Sequence, residues 1–254
     1  MAKMRVKTDG LNLRQTPKIQ PGNIIRSLPL AQEVEVLTAP SGQKFVEVET
    51  QLDGSRLQGF VHSDFLRPPV SSRKEALLEE AVRQWIRFNR GDGKETASPF
   101  FRFVGEFWQE LGLDLDGRDA DQPWSAAFIS FVARQAGYAD FKFSAAHARY
   151  ILDARKKRQD NATSAPFWLF RLGEHKPQLG DLVCLRRQAG ITFDHLPAEG
   201  FKSHCDLLVE VREKTVRALG GNVHNSVSLS TFSLTSDGFV KQEGRLFALM
   251  RNNR

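Results

Sequence analysis

Apolar and polar residues alternate in short runs near the start of the chain: Leu11-Asn12-Leu13-Arg14, Glu33-Val34-Glu35-Val36-Leu37 and Lys44-Phe45-Val46-Glu47-Val48-Glu49. A period of two puts every second side chain on one face of a strand, and Gly, Pro or Ser turns bound each run. Short strands at this spacing predict a small β-barrel. The pattern changes after Arg67-Pro68-Pro69-Val70-Ser71-Ser72, where two prolines exclude helix and the segment reads as a linker. Leu77, Leu78, Ala81, Val82, Trp85 and Phe88 then recur at helical steps, until Arg90-Gly91-Asp92-Gly93 ends the helix. Ser98 and Pro99 read as N-cap and first residue of a second helix through Phe103, Phe107 and Trp108. A third helix starts near Pro123, turns Phe128, Phe131, Val132 and Ala136 inward, and stops at Gly137. A fourth starts at Ser144 and carries His147, Tyr150 and Ile151. From Gly180 the pattern predicts strands over 181–187, 204–212, 215–219, 226–231 and 245–250. Helices followed by a run of antiparallel strands predict an α+β domain.

Composition narrows this only a little. At 254 residues the chain has room for two modest domains, and 41% hydrophobic with 26% charged residues is ordinary for a globular protein. The formal charge of +6 and pI near 9.5 favour anionic partners such as nucleic acid, anionic lipid or an acidic cell-wall polymer, and are equally those of a merely basic protein. The one dense basic run, Arg155-Lys156-Lys157-Arg158, suits a helix C-terminus. The first ten residues lack the apolar core of a secretory leader, and no stretch is apolar and long enough to span a bilayer. The expectation is a soluble protein, cytoplasmic or delivered to the cell envelope by a route needing no cleaved leader. Cys184 and Cys205 have no metal-ligand spacing and lie in predicted strands; they read as buried thiols, able to pair if the strands are neighbours. There is no phosphate loop, dinucleotide fingerprint or zinc spacing, so no cofactor or metal is expected. No aromatic-basic interleaving marks a nucleic-acid reader.

The candidate chemistry lies in three segments. Ser125, in Pro123-Trp124-Ser125-Ala126-Ala127-Phe128, stands at a helix start, where unsatisfied N–H groups favour an oxyanion. A serine there is also an ordinary N-cap. His204 opens an apolar strand whose alternation puts Asp206 and Glu210 on its face and Cys205 on the other. Asn222, after Gly220-Gly221, either turns into the site to fix the tautomer of a histidine or belongs to a tight hairpin. His147 either faces the same cleft or is a half-packed surface residue.

Together, Trp124-Ser125-Ala126-Ala127-Phe128-Ile129-Ser130, Gly180-Asp181-Leu182-Val183, Ser203-His204 with Val209-Glu210-Val211, and Gly221-Asn222 resemble the CHAP/NlpC-type, papain-like superfamily of cell-wall amidases and peptidases, over about residues 74–251. They resemble more closely still an uncharacterised bacterial branch of that superfamily, which carries Pro-Trp-Ser-Ala-Ala-Phe. By position, that resemblance implies Ser125 as nucleophile in place of the family's cysteine, His204 as base and Asn222 as orienting residue, with Trp124, His147 and Asp206 as substrate-binding candidates. Leu11-Asn12-Leu13-Arg14 with Pro17, Ile24 to Pro29, and Gly59-Phe60-Val61-His62 with Phe65-Leu66 resemble a bacterial SH3-like domain. The organisation implied is an SH3-like domain over 1–67, a linker over 68–73 and a papain-like α+β domain over 74–254.

The function implied is a peptidoglycan hydrolase cleaving an amide, with stem peptides as partner and a protein partner through the SH3-like domain as a further possibility. Two alternatives stand beside it. One is a non-catalytic cell-wall or protein-binding module in which Ser125 is only a cap. The other is a serine hydrolase or acyltransferase acting on another substrate.

Overall fold

The alternating N-terminal runs build seven strands: β1 (Ala2–Val6), β2 (Leu11–Arg14), β3 (Ile24–Leu28), β4 (Glu33–Thr38), β5 (Phe45–Leu52), β6 (Ser55–His62) and β7 (Leu66–Arg67). In this computed structural model, which describes residues 2–38 and 42–254, the chain separates into two compact units, Met1–Glu75 and Ala76–Arg254. The strands of the first unit form one antiparallel sheet in the order β3-β2-β6-β5-β4-β1-β7. Val6, Leu13, Leu28, Val34, Val48 and Val61 point to a shared core, as the two-residue period requires. The expected barrel is not closed: among the described residues no pairing joins β3 to β7. β7 is two residues long and most of β3 is exposed. The proline segment is tied down by Glu75, which accepts from Arg67 Nη1 at 2.6 Å and Nη2 at 2.8 Å and from the Val70 N–H at 2.7 Å.

Four helices follow: α1 (Ser72–Arg87), α2 (Phe100–Gln109), α3 (Ser125–Gln135) and α4 (His147–Gln159). Two of the predicted starts move. Pro99, not Ser98, occupies the N-cap position of α2, with φ −89° and ψ 2°, so helical backbone begins only at Phe100. The segment from Ser144 to Ala146 is not helical either, and α4 opens at His147 itself. Gly137 ends α3 as expected, and the reason is visible. It adopts φ +76°, while its N–H reaches Arg134 O at 2.9 Å and the Tyr138 N–H reaches Ala133 O at 3.0 Å, a Schellman closure.

The remaining strands are β8 (Phe167–Phe170), β9 (Leu182–Arg186), β10 (Ser203–Val211), β11 (Thr215–Val223), β12 (Ser226–Ser233) and β13 (Leu246–Asn252). They form an antiparallel sheet in the order β12-β11-β10-β9-β13-β8, so the second unit is α+β. α3 packs on β10 and β11, α4 on β8 and β10, and α2 on α3. One sheet face buries Val183, Leu208, Val216, Ala218 and Leu249. The helices meet through aromatic rings: Phe107 lies 5.7 Å from Trp124, 5.6 Å from Phe128 and 5.0 Å from Phe131, centroid to centroid. This packing fixes the N-terminal ends of α3 and α4 beside the mouths of β10 and β11. Among the described residues no helix is long and apolar enough to cross a membrane.

Candidate active site

Ser125 is the first residue of α3, and Trp124 holds the N-cap position without a side-chain cap. The first intrahelical donor is the Phe128 N–H, bonded to Trp124 O at 3.0 Å. The N–H groups of Ser125, Ala126 and Ala127 therefore have no carbonyl one turn back and point out of the helix end. The serine hydroxyl does not cap them. Its Oγ lies 2.7 Å from Nε2 of His147, and both residues are buried.

Two devices hold that pair. Trp124 packs against both Phe88 and Phe107, and its Nε1 donates to Glu95 Oε2 at 2.5 Å, which anchors the start of α3. Ser130 Oγ donates to Ser144 O and accepts from the Ser144 N–H, both at 3.0 Å. That staple fixes the loop entering α4 against α3 and delivers His147 to Ser125. Trp124 is thus a packing residue inside the aromatic core, and its ring is absent from the cleft, contrary to its reading as a substrate contact.

His147 Nδ1 contacts the Tyr150 hydroxyl in a very short hydrogen bond. Tyr150 also hydrogen-bonds Cys205, whose thiol in turn donates to Cys184 Sγ at 3.4 Å; both cysteines are free. A phenol has one proton. Given to Cys205 Sγ, it leaves the tyrosine oxygen to accept from His147 Nδ1–H, and Nε2 then presents a lone pair to the serine proton. Burial pushes Tyr150 and the Cys205 thiol well above their ordinary ranges, so neither ionises near neutrality.

Burial also holds His147 well below the usual imidazole range, with the neighbouring His204 and Arg187 acting in the same direction. The unfolded chain protonates this histidine near 6.5 while the folded chain resists, so proton uptake favours unfolding. The stability carried by neutral His147 is intact above 6.5 and is lost as pH falls from there toward the folded value. Urea unfolding at several pH values is expected to show a decline below 6.5 that is shallower in His147→Gln protein; equal slopes would exclude a buried neutral imidazole.

His204 and Asp206 lie on one face of β10, as alternation requires, with His204 Nε2 2.7 Å from Asp206 Oδ1. The approach is close but off-axis: among the described residues neither ring nitrogen of His204 nor that carboxylate oxygen has an aligned hydrogen bond. The His204 ring sits 5.1 Å from the His147 ring, edge to face. Ser125 thus meets His147, not His204, and the partner at His204 is Asp206, not Asn222.

Gly220 and Gly221 explain how β11 can come so close. A Cβ at Gly220 would lie 1.8 Å from Asp206 Oδ1, and one at Gly221 would lie 2.5 Å from Phe128 Cβ and 2.8 Å from Trp124 Cζ3. The hairpin turn itself is His224-Asn225, both at positive φ, so Asn222 is not the turn. It sits at an irregularity between the Gly220 and Val223 pairings, also at positive φ, and lines the cleft.

Ser125, His147, His204, Asp206 and Asn222 open into one cleft of about 1220 Å³. Its wall includes Trp108, Leu113, Leu115, Phe201 and Phe232 together with Arg187, Lys202 and Arg245. Sequence reasoning missed Glu95 and Tyr150, which carry no motif, and ranked His147 only as a substrate contact.

Residues 102–253, which hold all of these site residues except Glu95, match the family described as "Uncharacterized protein conserved in bacteria (DUF2272)". The chain belongs to the DUF2272 family. The DUF2272 segment covers more than half of the chain and begins inside α2, leaving the first unit and α1 outside it. No curated protein matches the chain. A solved structure similar to it is titled "Structure of NlpC2 from Trichomonas vaginalis", at 12% identity and a TM-score of 0.30, over 99% of this chain and 72% of that one. So low a score leaves the DUF2272 site to be read from its own geometry.

Proposed function

We propose that the second unit is a hydrolase of amide or ester bonds in which Ser125 is the nucleophile and His147 its proton acceptor. The observation that carries this is the 2.7 Å contact between Ser125 Oγ and His147 Nε2 at the open end of α3. Ser125 Oγ attacks the carbonyl carbon and its proton passes to His147 Nε2. The tetrahedral oxyanion lies within reach of the N–H groups at the start of α3. Collapse breaks the carbonyl–leaving-group bond, His147 returns the proton to the leaving amine or alcohol, and an acyl-serine remains. A water then repeats the sequence, giving its proton to His147 and releasing a carboxylic acid.

Neutral His147 is suited to the first transfer because burial keeps it unprotonated. Asp206, beside His204 and facing the same cleft, is the carboxylate that offsets the positive charge formed in transit. With Asp206 at His204, Asn222 is left free to contact substrate.

The substrate we assign is an amide of the bacterial cell wall, cleaved by a papain-like, CHAP/NlpC-type domain. Supporting it are the motif order Ser125, Gly180-Asp181, His204, Gly221-Asn222, the bacterial distribution stated for the family, and the SH3-like sequence pattern of the first unit. That unit, read as a docking module, offers a groove lined by Leu11, Arg14, Phe45, His62 and Phe65.

The test is a fluorophosphonate probe followed by peptide mass spectrometry, alongside muropeptide release from purified peptidoglycan. The expected result is one adduct, on Ser125, and release that disappears in Ser125→Ala protein. Release that persists undiminished in Ser125→Ala protein sinks the assignment.

A further inference from the structure

The cleft is electrostatically one-sided. Arg187, Lys202 and Arg245 line it, and Asp206 is the single acidic residue on its wall among the described residues. Several arginines elsewhere in this unit have carboxylate partners: Arg87 with Glu106, Arg134 with Glu110, Arg158 and Arg171 with Glu174, Arg212 and Arg217 with Glu210. Among the described residues the three cleft cations form no ion pair.

Their placement is a consequence of strand register. The Arg187 N–H bonds Lys202 O at 2.8 Å, which sets the two side chains opposite each other just beyond the ends of β9 and β10. The third cation, Arg245, whose carbonyl accepts from the Arg186 N–H at 2.9 Å, lines the same cleft. Like charges opposite each other across a sheet repel. The Arg187 guanidinium is held below its ordinary range by desolvation and by Arg245, with Asp206 acting the other way. A carboxylate relieves that repulsion and matches the planar fork of an arginine.

We infer that Arg187, Lys202 and Arg245 form a carboxylate-binding subsite in the cleft that holds Ser125, and that the preferred substrate is an acyl compound bearing a second, free carboxylate. The apolar part of the wall, Leu113, Leu115, Phe201 and Phe232, suits the carbon chain between the two groups. The role in turnover rests on Ser125 acting as nucleophile; the anion site itself does not.

The experiment compares mono-4-nitrophenyl glutarate with neutral 4-nitrophenyl butyrate on the full chain, and separately titrates glutarate into the protein by NMR. At low salt the charged ester is expected to have a kcat/KM at least about tenfold higher, the usual scale for a charge-assisted contact, and the preference should shrink as salt is added. Arg187→Gln with Arg245→Gln should bring the ratio toward one and abolish saturable glutarate shifts. Lys156→Gln, a surface change on α4, should keep both.

If neither ester is hydrolysed, the hydrolase reading fails, while glutarate binding lost in the double variant still supports the anion site. Equal kcat/KM for the two esters, or glutarate binding that is absent or survives the double substitution, overturns the proposal.

Discussion

Replacing His147 by glutamine is expected to lower kcat/KM by roughly two to four orders of magnitude, the usual contribution of a positioned general base. Glutamine preserves the size of the side chain but cannot take a proton from Ser125 Oγ. His204→Gln is expected to cost less, because His204 touches Asp206 and reaches the reacting serine only through the cleft. The combination should be far less than additive, since groups that act as one unit are lost together. Steady-state kinetics on the three variants, each checked for native unfolding behaviour, decide the matter. A larger loss in His204→Gln than in His147→Gln would reassign the base to His204 and require the Ser125–His147 contact to open when substrate binds.

Gly221→Ala is expected to be a damaging substitution at the candidate site. The new Cβ would fall 2.5 Å from Phe128 Cβ, which is bonded directly to the backbone of α3, and 2.7 Å from Phe128 Cγ. The tip of a flexible side chain could swing away; Phe128 Cβ cannot unless α3 moves with it. Overpacking of this kind costs about 1–3 kcal/mol, which for a domain of this size lowers Tm by roughly 2–4 °C per kcal/mol. Activity should suffer more than stability, because α3 carries Ser125 and a misplacement near 1 Å costs about a hundredfold. Gly173→Ala, where no atom lies within 4 Å of the new carbon, is the control and should be nearly neutral. Scanning calorimetry and turnover on both proteins test this. Native Tm and activity in Gly221→Ala protein would show that the glycine is not what lets β11 approach α3.

Much of the architecture could be read from residue patterns. The period of two in β4 and β5 and the three- and four-residue steps in α1 follow from which side chains must leave water, a local property. The stop at Gly137 was equally legible, because positive φ is a property of one residue. The candidate site was legible in part. Ser125 at a helix start and His204 at a strand start were visible as positions, but their partners were not. The hydroxyl was expected to face His204 and instead meets His147, 22 residues along the chain. Trp124 looked available to substrate, yet its indole is spent on Glu95, which is 29 residues away and has no motif.

Periodicity reports which face of an element is buried and is silent about which other element covers it. The chain alone determined an α+β second unit, a β-rich first unit, a serine at the open end of a buried helix and an unusual Gly220-Gly221 pair. Tertiary packing decided the rest: that β11 closes on α3, that Ser130 staples the α4 entry and presents His147 to Ser125, and that Arg187, Lys202 and Arg245 gather on one wall. Those contacts join residues far apart in sequence, and their geometry depends on sub-ångström packing that no local pattern encodes.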